Sequence, residues 1–82
     1  MEEPVRIALV DDHRLFRSGI ASLINDFSNY AIIFEAGNGE EMIPLINAKF
    51  KPHIILLDIN MPHMNGISAA KWLKRNGYIE IS

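Results

Sequence analysis

The sequence contains no cysteine, so neither a disulfide scaffold nor a thiolate metal site is available to the fold. No apolar run approaches the roughly 20 residues that a membrane-spanning helix needs. An excess of basic residues is also missing: the formal net charge is -2, and the only local basic cluster is Lys71, Lys74 and Arg75. This charge distribution argues against direct binding of nucleic acid. The 82 residues predict one small domain, and the acidic N-terminus does not resemble a signal peptide, so we expect a cytoplasmic protein.

Segments with the apolar pattern of strands alternate with segments that have helical spacing. The predicted elements are a strand at 5–10, a helix at about 13–27, a strand at 31–35, a helical stretch carrying Met42, Ile43, Leu45 and Ile46, a strand at about 53–57, a third helix with Ile67, Ala70 and Leu73 on its inner face, and the beginning of a fourth strand at 78–82. Gly77 is predicted to cap the third helix. Pro44 should either kink the second helix or delay its regular part to about Ile43. The alternation predicts an α/β domain with a parallel sheet in the strand order 2-1-3.

Carboxylates follow the first and third predicted strands. Asp11 and Asp12 come directly after the first strand, and Asp58 follows the third. In the 2-1-3 order the carboxyl ends of these strands flank one crevice, so the three acids should meet there. Two carboxylates 4 Å apart repel each other by roughly 4 kcal/mol at an effective dielectric near 20, so we expect a cation between them, and oxygen ligands suit Mg²⁺. An alternative is that Asp12 only caps the first helix, which explains neither of the other acids.

Two motifs, VDDH at 10–13 and LLDINMPHMNG at 56–66, resemble the receiver domain of two-component response regulators. The resemblance covers essentially the whole chain and implies a flavodoxin-like, doubly wound fold. It also implies that Asp58 accepts a phosphoryl group from the phosphohistidine of a sensor histidine kinase. The residues that the resemblance assigns to Mg²⁺ are Asp11, Asp12, Asp58 and the backbone carbonyl of Asn60. It assigns the loop after the acceptor to Met61, Pro62 and Gly66.

The stretch 11–20 is similar to the subfamily that joins a receiver to a C-terminal helix-turn-helix domain. Transcription would then be controlled through an output domain outside this sequence, and DNA would bind only there. A complete receiver has five strands and five helices, so the single domain at 1–82 is expected to be an incomplete receiver. Its third strand is expected to have an unpaired edge, through which the chain should self-associate.

Two other functions compete with phosphoacceptance. A degenerate receiver could serve as an interaction module without phosphorylation, as the absence of positions for the family's switch hydroxyl and lysine suggests. An aspartate-nucleophile phosphohydrolase is the other alternative. Those enzymes have an Asp-x-Asp motif, and in this sequence Asn60 occupies the position of the second acid. The leading interpretation is an acceptor that is modified on its own aspartate and is not an enzyme with turnover.

Overall fold

The computed structural model describes residues 3–47, 51–58 and 66–81, and within them strands alternate with helices. The elements in chain order are β1 (Val5–Val10), α1 (Arg14–Asn25), β2 (Tyr30–Ala36), α2 (Gly39–Asn47), β3 (Ile54–Leu57), α3 (Gly66–Arg75) and β4 (Ile79–Ile81). This order confirms the predicted α/β class. Among the described residues, no helix is both long enough and apolar enough to cross a bilayer.

The four strands form one parallel sheet in the order β2-β1-β3-β4. The order confirms the predicted 2-1-3 arrangement and the beginning of a fourth strand. The predicted unpaired edge of the third strand is wrong, because β4 pairs with β3 from Ile54↔Ile79 to Leu56↔Ile81. The short segment after α3 is long enough to return to the sheet, so the outer strand on this side of the described sheet is β4.

Helices cover both faces of the sheet, and β1 alternates between them. On one face, β1 contributes to a core shared with α2 and α3. The buried members of this core are Ala8, Val10, Phe34, Ala36, Met42, Ile46, Ile55, Leu57, Ala69 and Leu73. On the other face the core is smaller and lies against α1, with Ile7, Leu9 and Ala21 buried. Since each fully buried aliphatic side chain contributes roughly 1.5–3 kcal/mol, the face carrying α2 and α3 holds most of the apolar stabilisation.

The apolar stripe of α1 is wider than the surface that the sheet covers. Leu15 is 90% exposed and Phe16 and Leu23 are each at least 62% exposed, while Ala21 is buried. The amphipathic helix is therefore confirmed, although it begins and ends inside the predicted range of 13–27. Helical spacing identifies an apolar face, but it does not say how much of that face a neighbour covers.

The inner face of α3 differs from the predicted one. Ala69 and Leu73, which lie one turn apart, are fully buried, whereas Ile67 is 60% exposed and Ala70 is only partly buried. The prediction was correct for Leu73 and wrong for Ile67. Ala69 and Leu73 form the buried face of α3, because both side chains lie in the core that α3 shares with α2.

Helix α2 begins at Gly39, before the start near Ile43 that was one of the two predicted arrangements. Its first turn is capped, because the Glu41 N–H donates to Asn38 Oδ1 at 2.9 Å and the Gly37 N–H donates to Glu41 Oε1 at 3.1 Å. Gly37, Asn38 and Gly39 thus form a turn that leads into the helix, with Asn38 as its cap. The cap fixes an early helix start, so Pro44 lies inside the helix in spite of its missing N–H.

Gly77 ends α3 with a positive φ of 82°. The Tyr78 N–H donates to the Leu73 carbonyl at 3.0 Å, and the Gly77 N–H donates to the Lys74 carbonyl at 3.3 Å. These two bonds are those of the Schellman motif, which confirms the predicted C-cap. The chain can turn directly into β4 because glycine adopts this conformation without a steric penalty.

Two glycine-to-alanine substitutions should change stability in opposite directions. Gly77→Ala is expected to lower the free energy of unfolding by about 1 kcal/mol, because alanine is strained at positive φ. Gly19→Ala should raise it by about 0.5–1 kcal/mol, because Gly19 lies inside α1 and an added Cβ would meet no atom within 4 Å beyond its own helix backbone. Urea unfolding followed by circular dichroism measures both values. Equal effects of the two substitutions would contradict this account of the cap.

Candidate functional site

Two backbone hydrogen bonds continue the sheet beyond the carboxyl ends of β1 and β3. The Asp11 N–H donates to the Ala36 carbonyl at 3.0 Å, and the Asp58 N–H donates to the Val10 carbonyl at 2.9 Å. Each bond fixes an acidic residue directly after its strand, so the parallel register of the sheet brings the acids to the same edge.

Three carboxylates and one imidazole converge at this edge, and we call Asp11, Asp12, His13 and Asp58 the acidic cluster. One side-chain oxygen or ring nitrogen from each residue lies within 4.8 Å of the others. His13 Nδ1 lies 2.9 Å from Asp11 Oδ1, 3.1 Å from Asp12 Oδ1 and 3.7 Å from Asp58 Oδ2. The three acids therefore meet as the topology predicted.

The turn from β1 into α1 depends on Asp11. Its Oδ1 accepts the His13 N–H at 2.8 Å, which closes a side-chain turn of the kind that aspartate favours. The N-cap of α1 is His13, and its side chain makes no capping hydrogen bond. The alternative in which Asp12 merely caps α1 is therefore wrong, because the helix begins one residue too late for Asp12 to be the cap.

The carboxylates of the acidic cluster are partly shielded from solvent. The side-chain exposures are 18% for Asp11, 31% for Asp12 and 21% for Asp58, against 69% for His13. The hydrogen bond to Asp11, followed by the charges of Asp12 and Asp11, raises the pKa of the His13 imidazole. The three acids thus favour the protonated form of the imidazole beside them.

Sequence reasoning missed two contributors to this site. It gave His13 no role in the site, whereas the ring contacts all three acids. It gave Arg17 no role either, whereas Arg17 Nη1 donates to the Asp11 carbonyl and Nε donates to Glu35 Oε1. A basic residue one helical turn after the paired acids was the available signal, but Glu35 lies on another strand and no local pattern connects it to Arg17.

An open groove of about 660 Å³ runs from the acidic cluster along α1 and β3. The residues that line it are Leu9, Asp11, His13, Phe16, Arg17, Ile20, Leu56, Leu57 and Asp58. Its lining is charged at one end and apolar along the rest. The acids are therefore accessible from solvent through a surface that could also contact a partner.

The loop after Asp58 lies outside the described residues. The assignments of Asn60, Met61 and Pro62 therefore stay predictions. Gly66, assigned to the same loop, is the first residue of α3.

Comparison with known proteins places most of the chain within one family. Residues 7–81 match the response regulator receiver domain. The nitrate/nitrite response regulator protein NarL of Escherichia coli K12 is 41% identical over 73 residues, which are 89% of this chain and 33% of that protein. The chain thus spans about a third of the length of this curated relative.

Two solved structures are similar in both fold and sequence. A two-component response regulator of the LuxR family from Aurantimonas has a TM-score of 0.80 and 32% identity, over 92% of this chain and 53% of that one. A structure of the P1 domain of CheA3 in complex with CheY6 from R. sphaeroides has a TM-score of 0.81 and 31% identity, over 95% of this chain and 60% of that one. Both likenesses confirm the flavodoxin-like fold.

The charge of His13 should depend on Asp11. In buffer without divalent cations, we expect the pKa of the His13 ring to lie above the ordinary value for histidine. A pKa raised in the folded state means that protonated His13 stabilises the fold at pH values below the unfolded-state pKa. This contribution disappears as the pH rises through the folded-state pKa.

Titration of the ring protons by NMR measures this pKa. Asp11→Asn should return it towards the ordinary value, whereas Asp26→Asn removes the same charge at the far end of α1 and should leave it unchanged. A wild-type ring that titrates at or below the ordinary value would show that the cluster does not hold the imidazole as described.

Proposed function

The chain belongs to the response regulator receiver domain family, and from this premise we propose that it accepts a phosphoryl group on Asp58 in a Mg²⁺-dependent reaction. The donor is the phosphohistidine of a sensor histidine kinase. The observation that carries the proposal is the convergence of Asp11, Asp12 and Asp58 within 4.8 Å at the carboxyl ends of β1 and β3. Neither a capping role nor a structural ion pair accounts for three acids at one place.

The chemistry of the cluster fits Mg²⁺. The ion prefers hard oxygen ligands and is commonly held by one or two carboxylates together with water and phosphate oxygens. Asp11, Asp12 and Asp58 would hold it, with Asp12 the more direct ligand, Asp11 acting through water, and the Asn60 carbonyl completing the protein's share. When bound, the ion would neutralise charge that develops on the phosphoryl oxygens.

Asp58 is the nucleophile of the proposed reaction. One of its carboxylate oxygens attacks phosphorus, and the bond between phosphorus and the donor imidazole nitrogen breaks. The imidazole keeps the electron pair of that bond and takes up a proton, so an acyl phosphate on Asp58 and a neutral histidine result. Asp58 suits this role because its N–H is fixed by Val10 while its side chain remains 21% exposed at the mouth of the groove.

The acyl phosphate stays on Asp58 and acts as a signal, so the reaction releases no modified substrate. NarL, to which the chain is similar, is named as a response regulator. We therefore propose control of transcription through an output domain, with the described domain acting as phosphoacceptor without turnover. The complex of CheY6 with the P1 domain of CheA3 supports a separate protein as the docking partner. The cytoplasmic location stays a prediction.

Incubation with Mg²⁺ and a small acyl phosphate donor tests the acceptor role. We expect one phosphoryl adduct per chain by intact-mass spectrometry, labile to hydroxylamine and mapped to Asp58. Asp58→Asn should abolish the adduct, and omission of Mg²⁺ should strongly reduce it. Asp26→Asn is the control, because it removes a carboxylate at the C-cap of α1 and should be modified as the wild type is. A folded wild-type chain that binds Mg²⁺ but gains no adduct would favour the interaction-module alternative.

We also propose that the chain self-associates through the outer edge of β4. In the described sheet β4 pairs on one side with β3, and a strand edge with unpaired N–H and C=O groups is a template for another strand. Sedimentation should then give an average mass that rises with concentration. Amide exchange at 79–81 should slow over the same range, while the amides of α1 serve as the control. A monomer at every concentration would exclude this association.

A further inference from the structure

We propose that Arg17 is the positioning residue of the acidic cluster, an inference that rests on the proposed function. Its guanidinium holds the peptide unit between Asp11 and Asp12, and Glu35 on β2 holds the guanidinium. Arg17 acts through the backbone and is not a metal ligand, because a guanidinium stays protonated and has no acceptor atom.

The contacts of Arg17 fix the turn that carries the acids. Nη1 donates to the Asp11 carbonyl oxygen at 2.5 Å, and Nε donates to Glu35 Oε1 at 3.1 Å. This carbonyl belongs to the planar peptide unit that joins Asp11 to Asp12, so holding it constrains the directions in which both side chains leave the backbone. Ala36 accepts the Asp11 N–H at 3.0 Å. The end of β2 therefore holds Asp11 directly through Ala36 and indirectly through Glu35 and Arg17.

An irregularity in β2 aims Glu35 at α1. Ile7 pairs with Ile32 but Ala8 pairs with Phe34, so β2 has one extra residue at this point. Ile32 contacts the core on the α1 side, whereas Ile33 and Phe34 both contact the core on the α2 and α3 side. The alternation therefore resumes with Glu35 facing α1. Bulges commonly re-aim a side chain in this way, and here the result is the pair with Arg17.

Arg17 also attaches the first turns of α1 to the rest of the domain. From position 14 to position 19 every residue is exposed except Arg17, whose side chain is only 15% exposed. The turn after β2 lies close to the Arg17 side chain. A Cβ added at Gly37 would lie 3.6 Å from Arg17 Nη1 and 3.1 Å from Glu41 Oε2. The helix end that follows the acids is thus attached by this polar contact and not by apolar packing.

A simpler role for Arg17 predicts the opposite result. If Arg17 only supplied positive charge near the acids, removing it would strengthen the binding of Mg²⁺, because a competing cation would be lost. If Arg17 positions the acids, removing it weakens binding even though the site becomes more negative. The sign of the change in affinity therefore separates the two roles.

The experiment is a titration of the chain with MgCl₂, followed by the amide shifts of Asp12 and Asp58. The variants are Arg17→Gln, the double variant Arg17→Gln/Glu35→Gln, Arg17→Lys and Arg14→Gln. The double variant keeps the net charge of the wild type, and Arg14→Gln removes the same charge from an exposed position of α1. We expect roughly tenfold weaker binding in the first two variants, the usual effect of losing a residue that orients a metal ligand.

Arg17→Lys keeps a positive charge but has a compact ammonium in place of the planar fork, so it should bind Mg²⁺ with intermediate affinity. This variant decides the matter if Arg17→Gln does not fold. Unchanged or tighter binding in folded Arg17→Gln, or wild-type affinity in the charge-neutral double variant, would overturn the proposal.

A second readout does not require a metal. The His13 N–H donates to Asp11 Oδ1 at 2.8 Å, so its amide proton shift and exchange rate report the position of the Asp11 carboxylate. Arg17→Gln should move this resonance and accelerate its exchange, while Arg14→Gln should not. If the wild type bound no Mg²⁺, the proposed function would fail, and this readout alone would decide the role of Arg17. A His13 amide that is the same in both variants would overturn it.

Discussion

The parallel pairing of β1 with both β2 and β3 is the constraint on which the acidic cluster depends. It places the Asp11 N–H against Ala36 and the Asp58 N–H against Val10, so the acids have no freedom to separate along the strands. One oxygen of each acid lies within 4.8 Å of the others, so their negative charges repel each other. The core beneath must resist this repulsion, and the last residues of β1 and β3, Val10 and Leu57, are buried in it.

The two faces of the sheet support the site in different ways. The face with α2 and α3 has the larger apolar core, whereas α1 contributes one buried side chain, Ala21, to the opposite face. At its N-terminal end α1 leaves Phe16 63% exposed. Hydrophobic packing is therefore weakest where the helix meets the acidic turn. The Arg17 side chain is only 15% exposed, and its charge-assisted hydrogen bond to Glu35 links α1 to β2 where apolar packing does not.

The fold class and the meeting of the acids could be predicted because both follow from local patterns joined to one topological rule. Strand and helix periods gave the element order, and the order put the carboxyl ends of β1 and β3 together. The bulge could not be predicted, because Ile32, Ile33 and Phe34 are all apolar and show no alternation that a shift would interrupt. The contact between Arg17 and Glu35 depends on that bulge, so the sequence could not predict it either. The exposed apolar residues of α1 could not be predicted for a similar reason. Apolar spacing identifies the apolar face of a helix, but it does not say which parts of that face a neighbouring element covers.

The two basic side chains beside the acids, Arg17 and His13, differ in what they can do there. Arg17 is 15% exposed and bound to two acceptors that lie behind the acidic turn, so it stays in place whatever enters the cluster. His13 is 69% exposed, and its Nδ1 is in contact with all three acids. A ring so exposed can rotate away at little cost in buried surface. Arg17 therefore fixes the geometry of the carboxylates, while the position taken by His13 is the one that an incoming cation can share or replace.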